Sequence, residues 1–367
     1  MEIFPRLPEE VGRECLLRVS FRSHSTLRAV CKSWQAVVDS PCFNQDRKRS
    51  ATSEQCVFFI QALPAPADSV IEKAHRVPTY ALTLYDPLQC LWQRQTPPFP
   101  ELSDGIPLFS ECIAVKNKVI LIGGWHPARW EAIKSVFVLD VSSGRWSRGA
   151  NMPTVRSFFA CSVSPSDGLL YVAGGHDENK RALRGAAVYD VGQDKWESLP
   201  DMMEARDESR GAFVDGKFYV ISGYESEAQG RFKQSAQVYD PNTGLWSSLQ
   251  NMWPNWGCPR SCSCISAFGG VLAFYRGGVL SYDSKGNEWQ QIGALPSGLE
   301  CVRGAAVWRD RIFVTGSQVG RTAQSCYLFE PPSFNGGKGE MGCGKWIPLE
   351  RPQNFAGIVQ SVATLEI

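Results

Sequence analysis

The chain is short of histidine, has no excess of charge of either sign and contains no long apolar run, and each shortage removes a class of function. Four histidines in 367 residues leave little imidazole for a metal centre. Lys and Arg total 38 against 37 Asp and Glu, a net charge of +1. The clustered basic excess that nucleic acid demands is therefore missing. Nowhere do ~18 uncharged apolar residues follow one another, which argues against a membrane-spanning helix. The start, Met1-Glu2-Ile3-Phe4-Pro5-Arg6, lacks the basic opening and apolar run of a secretory signal. The expectation is a soluble intracellular chain, cytoplasmic and/or nuclear, with no nucleic acid, membrane, metal or cofactor. Cysteine runs the other way, with thirteen residues. Cys15, Cys31, Cys56, Cys112, Cys161 and Cys326 sit inside apolar runs and read as buried free thiols rather than a disulfide framework.

What is abundant is repetition, and a period of this size decides the architecture. Tyr85-Asp86, Leu139-Asp140, Tyr189-Asp190, Tyr239-Asp240 and Tyr282-Asp283 each close a β-rich run, and each Asp is followed six residues later by a tryptophan. Ahead of these lie apolar strands ending in glycine, clearest in Val119 to Gly124 and Leu169 to Gly175. One repeat is four short strands. The Asp opens a hairpin turn, and Gly144, Gly244 and Gly286 are expected to supply its positive φ. Tyr and Trp bury flat surfaces between sheets, and paired glycines let backbones approach. Trp92, Trp146, Trp196, Trp246, Trp289 and Trp346 count six repeats. The first lacks an inner strand, which the run Phe355 to Thr364 is expected to supply, closing a ring. The sixth carries a glycine-rich insertion, residues 331–345.

Residues 1–47 read differently. Leu7-Pro8-Glu9-Glu10-Val11 opens a helix, with Pro in its first turn and two acids beside it. Leu27, Val30, Cys31, Trp34, Val37 and Val38 fall on one helical face, ended by Pro41. So small a module cannot bury all of these, so part of that face is expected to meet a partner. Arg47-Lys48-Arg49 then reads as an exposed linker or a nuclear address, the linker being the preferred reading.

The double glycines, the Tyr-Asp and the Trp at a period near 50 resemble kelch repeats. The fold class this implies is mainly β: a six-bladed kelch β-propeller closed by the C-terminal strand and preceded by a small all-α module. Leu7-Pro8, Cys15-Leu16-Leu17-Arg18-Val19 and Val30-Cys31-Lys32-Ser33-Trp34 resemble an F-box. The resemblance implies an F-box at 1–47, a linker at 48–56 and a propeller at 57–367. It implies adaptor contacts, or their immediate support, at Leu7, Pro8, Leu16, Leu27, Cys31 and Trp34. Together the two halves resemble plant F-box/kelch-repeat proteins, non-catalytic substrate receptors of SCF (cullin-RING) ubiquitin ligases. The partners implied are a Skp-type adaptor, the cullin-RING ligase and a protein substrate. Ile106-Pro107-Leu108-Phe109, Gly123-Gly124-Trp125 and Arg156-Ser157-Phe158-Phe159-Ala160 are similar to the branch associated with phenylalanine ammonia-lyase or with cytokinin response regulators.

Enzymes on kelch propellers need several imidazoles around a metal; His126 and His176, placed after double glycines in adjacent blades, fall short of that. His75 reads as a loop residue. Cys258, Cys262 and Cys264 have no matching CxxC partner. Gly339 to Lys345 has phosphate-loop spacing but is followed by Trp346 instead of Ser or Thr. What remains is a recognition face on the loops after strand two and before strand one. It comprises Trp125, His126, Arg129, Trp130, Arg156, His176, Asp177, Arg181, Arg206, Asp207, Tyr224, Glu225 and Arg231. Arg156 and Arg206 read equally as braces between blades.

Overall fold

A computed structural model describes residues 3–40, 42–64, 78–260, 262–320, 323–332 and 344–367. Four short helices come first: α1 (Glu9–Leu17), α2 (His24–Val30), α3 (Lys32–Val38) and α4 (Phe43–Arg49). Six four-stranded antiparallel sheets follow. From the axis outward, blade one holds Val359–Glu366, Gln55–Ala62, Tyr80–Asp86 and Leu91–Gln95. Blade two runs from Glu111–Val115 to Arg145–Gly149 and blade three from Ala160–Val163 to Lys195–Leu199. Blade four runs from Arg210–Val214 to Leu245–Leu249, blade five from Ile265–Ala267 to Glu288–Ala294, and blade six from Cys301–Trp308 to Lys345–Leu349.

The sheets stack because their apolar residues face neighbouring blades. One core cluster joins Ile113, Ile120 and Val138 of blade two to Phe159, Leu170 and Tyr189 of blade three. The repeated tryptophans add a polar clasp. The indole N–H groups of Trp196, Trp246, Trp289 and Trp346 donate to Ala150 (2.8 Å), Pro200 (2.7 Å), Met252 (2.6 Å) and Ala294 (2.7 Å), at the end of the preceding blade. Each ring is therefore packed and hydrogen-bonded across one seam. At Gly175 a Cβ would stand 2.3 Å from the Ser157 carbonyl, so the close approach expected of the paired glycines is real.

Ring closure follows the sequence expectation: Val359–Glu366 pairs antiparallel with Gln55–Ala62 and becomes the inner strand of blade one. The Asp turns hold as well, Asp140 accepting from the Ser143 N–H and Asp190 from the Gly192 N–H. The glycine role is corrected at one position. Positive φ falls two residues before the tryptophan, at Gly144 (69°) and Gly244 (70°), but also at Asp194 (54°) and Asn287 (53°). Gly286 stands one residue too early, and Asn tolerates that conformation with its short polar side chain. Much of the glycine-rich insertion, with the phosphate-loop spacing, lies outside the described residues, as do Pro41 and His75.

Three further expectations change. The single helical face breaks at Cys31, whose extended backbone (φ −161°, ψ 165°) separates α2 from α3. Leu27 and Val38 consequently turn inward, while Val30 and Cys31 stay exposed. Of the cysteines read as buried, Cys56, Cys112 and Cys326 are, Cys161 is half-buried, and Cys15 and Cys31 are exposed. The run Arg47-Lys48-Arg49 is the end of α4, and Arg47 is 0% exposed, so this is no exposed linker. Position 47 therefore lies inside a helix, and the first strand begins at Gln55. Among the described residues no helix is long and apolar enough to cross a membrane.

Candidate functional site

On the helical module the expected adaptor residues divide by burial. Leu7 is 45% exposed and Pro8, which precedes α1, is exposed with it. Cys31 is exposed between the helices. Trp34 is half-buried, its ring 4.8 Å from Phe4 and its indole N–H donating to the Ile3 carbonyl at 2.7 Å. Leu16 and Leu27 are core instead, packed with Leu17, Val38 and Phe43, so they support the surface without forming it. Val11 (45%) and Val30 (54%) complete an exposed apolar set. Val11 was missed because its exposure depends on where α1 packs.

The module docks on the propeller face that carries the turns between third and fourth strands. Phe21 is buried among Phe58, Leu84, Leu139 and Ile367. Arg28 donates to the Ser142 carbonyl in one of those turns. Arg22 lies 3.7 Å from Asp86. At the seam His24 is fully buried beside Arg47. Burial, then the Arg47 charge, lowers the imidazole from 6.5 to about 4. Because the folded pKa is depressed, the unfolded chain binds the extra proton as pH falls below 6.5, and stability is lost until about pH 4. Over that window wild type should lose roughly 3 kcal/mol more than His24→Gln, read by urea unfolding at each pH. Equal losses in both would remove His24 from the account.

The loop face lies at the opposite end of the blades. Trp125, His176 and Tyr224 hold equivalent places, each bridging back to the loop before its own blade, at Leu108, Ser157 and Asp207. The pairing of His126 with His176 is thereby corrected: His126 aligns with Asp177. His126 Nδ1 accepts from the Ala128 and Arg129 N–H groups, and Asp177 accepts from those of Asn179 and Arg181. Both side chains shape their own loops.

Arg156 (2% exposed) and Arg206 (0%) are braces, not surface. Arg156 donates to the Gly174 and Gly185 carbonyls and Arg206 to those of Ser222 and Ser235, tying the base of the loop after strand two in each blade. Burial lowers the Arg156 guanidinium to about 10. Arg129, Trp130, Arg181 and Arg231 are exposed, Trp125, Asp177 and Glu225 half-buried, and His126, His176, Asp207 and Tyr224 buried. Arg129 pairs with Glu131 at 3.4 Å and Glu225 with Lys233 at 3.2 Å.

The sequence reading missed Phe109, Phe158 and Glu208 as site residues. Each stands two residues before its inner strand with positive φ, 59°, 54° and 51°, and the two phenylalanine rings meet tilted, their centroids 4.5 Å apart. Equal offset from the glycine motif was a usable signal. Bulky residues held in this region store strain, which concentrates where proteins bind. At the axis Glu111 accepts from Arg260 (2.8 Å), Arg210 (3.4 Å) and Ser361 Oγ (2.9 Å). Burial alone would raise this carboxyl, yet the two guanidiniums hold it below the usual carboxylate range. Among the described residues no group of three His, Cys, Asp or Glu side chains is placed to hold a metal ion.

Comparison with known proteins agrees with both halves. An F-box domain model matches residues 4–46, and a KLHDC2/KLHL20/DRC7 Kelch-repeats domain model matches residues 110–317. The Arabidopsis thaliana F-box/kelch-repeat protein At1g80440 is 38% identical over 86% of this chain and 88% of its own length. The Arabidopsis F-box/kelch-repeat protein At1g15670 is 34% identical over the full length of both, and F-box/kelch-repeat protein SKIP20 is 38% identical over 69% of this chain and 68% of its own. With a helical module that exposes Leu7, Val30 and Cys31 and a propeller closed by its last strand, the chain belongs to the F-box/kelch-repeat family, the class of SCF substrate adaptors.

Proposed function

We propose that this chain is the non-catalytic substrate-recognition subunit of an SCF ubiquitin ligase. Its F-box binds a Skp-type adaptor, and its loop face holds the target for ubiquitination and proteasomal degradation by the rest of the machine. The observation that supports this reading is the placement of two exposed side-chain sets on opposite faces of one framework. The apolar F-box residues lie on a module seated against the turn face, and the Trp- and Arg-bearing loops project from the other face. Holding a target at a fixed place near the conjugating enzyme raises the effective concentration of its lysines without any chemistry by the receptor.

Leu7→Asp with Val30→Asp tests the adaptor half. Both side chains are exposed, so the fold should survive while adaptor affinity falls roughly 30-fold or more, as for a hot-spot pair. Undiminished binding, measured by titration calorimetry, would refute the adaptor contact.

For the target, the motifs around Phe109, Trp125 and Phe158 support the branch acting on a metabolic enzyme such as phenylalanine ammonia-lyase, with cytokinin response regulators as the alternative. In vitro ubiquitination of both by the reconstituted ligase discriminates them. The working compartment in this reading is the cytoplasm, the nucleus or both, which fluorescence of the tagged chain would report.

A further inference from the structure

We propose that the aromatic pocket on the loop face takes one basic side chain of the target, an arginine or a lysine; this rests on the reading of that face as target-binding. The pocket has a volume of about 260 Å³. That is below the ~300–1,000 Å³ of sites for drug-sized ligands and suits a single long side chain. Its walls are Phe109, Trp125, Trp130, Phe158 and Tyr224. Aromatic faces attract cations through their quadrupole. A cation of the chain already sits there, the Lys180 ammonium 6.0 Å from the Trp125 ring centroid, on a side chain that is itself exposed.

The floor consists of acceptors. Asp207, 5% exposed, is held by His176 Nδ1 at 2.9 Å from each carboxylate oxygen. A carboxylate has no proton to give, so Nδ1 donates, and in the neutral ring Nε2 is left as an acceptor. His176 is 6% exposed, and its Nε2 is buried without a hydrogen-bond partner among the described residues. Glu208 stands beside it, oriented by the Tyr224 hydroxyl at 2.9 Å. The two carboxylates of Asp207 and Glu208 leave a ligand the role of donor. An acidic side chain would meet repulsion, whereas a guanidinium or ammonium meets charge and hydrogen-bond complementarity together. The Arg260 cation on the far side of Phe158 does not reverse this, since Glu111 pairs with it at 2.8 Å. Phe109, Phe158, Glu208 and Trp130, all lining the pocket, have left-handed backbone, a conformation that costs energy for such side chains.

The test titrates the full chain, bound to its adaptor, with capped Gly-Arg-Gly, Gly-citrulline-Gly and Gly-Glu-Gly peptides, followed by ligand-observed NMR. The arginine peptide should bind, its neutral citrulline isostere roughly fivefold more weakly or worse, and the glutamate peptide not at all. Trp130→Ala and Glu208→Gln should each weaken the arginine peptide about two- to fivefold, and Lys180→Ala should tighten it by a similar factor because the resident cation is gone. Trp130 is 54% exposed, so its loss leaves the fold intact. Equal binding of citrulline, preference for glutamate, no binding of any peptide, or indifference to Lys180→Ala would each overturn the proposal. Failure of the target-face reading looks different: the arginine peptide binds as expected, yet Trp130→Ala ubiquitinates the target undiminished.

Discussion

Ending the chain at Gly357 is expected to abolish cooperative folding. The lost segment contributes the inner strand of blade one, pairing from Gln55↔Glu366 to Gln61↔Val359, and it also sits between the inner strands of blades six and two. Val359, Leu365 and Ile367 are buried there, each contributing about 1.5–3 kcal/mol. Three such side chains together with the ladder approach the ~5–15 kcal/mol net stability of a domain. The exposed edge would run through Cys56, Val57, Phe58, Phe59 and Ile60, all buried in the closed ring, and an apolar edge of that length recruits other chains. Size-exclusion chromatography and urea unfolding should show aggregate or a non-cooperative transition. A monomer with the wild-type midpoint would mean that the ring does not depend on this strand.

Arg47→Met is expected to cost about 3–5 kcal/mol and to loosen the F-box from the propeller. The guanidinium is wholly buried and donates to the Leu17 (2.7 Å) and Val19 (2.5 Å) carbonyls of the F-box, to Ile367 of the closing strand (3.3 Å) and to Glu54 (3.1 Å). Glu54 also accepts from the Phe21 N–H at 2.7 Å, so one ion pair serves both sides of the seam. Methionine keeps the apolar stem and leaves Glu54 without its cation, and removing one partner of a buried pair is the costly way to break it. Limited trypsin digestion at the exposed Lys48 and Arg49 should release the module in the variant and not in wild type. Adding Glu54→Gln should restore part of the stability. A single variant within ~1 kcal/mol of wild type would show that the seam rests on Phe21 packing instead.

The repeat could be read because each of its signals is local. An Asp turn, a tryptophan two residues past a left-handed position and an apolar strand ending in glycine all act within about ten residues, so their periodicity survives in the bare sequence. Asn287 in place of Gly286 shows the grain of that reading: the turn was found, but the residue able to carry positive φ was misassigned by one. Closure by the last strand was also legible, because one blade was short of a strand and one strand pattern lacked a blade, although the strand runs Val359–Glu366 and Phe355 ends a short 3-10 helix before it.

The sites were legible only as loops. Arg156 and Arg206 carry the residue type of an interface, but carbonyls that approach them through the glycine turns make them buried braces. Phe109 and Phe158 look like core residues in sequence, and an adverse backbone conformation puts both on the pocket wall. Arg47 read as linker charge and is the buried clasp between domains, since its partners Leu17, Glu54 and Ile367 come from three separate parts of the chain.

Short-range turn chemistry and strand pattern were enough, in the bare sequence, for the blade count and the ring closure, and the motifs from Leu7 to Trp34 carried the resemblance to an F-box. Tertiary structure alone decided which apolar helix residues remain exposed, which arginines are surface and which are braces, and how the F-box is fixed to the face opposite the Trp- and Arg-bearing loops. Those outcomes depend on contacts between residues far apart in the chain, where burial and charge pairing override what any residue prefers on its own.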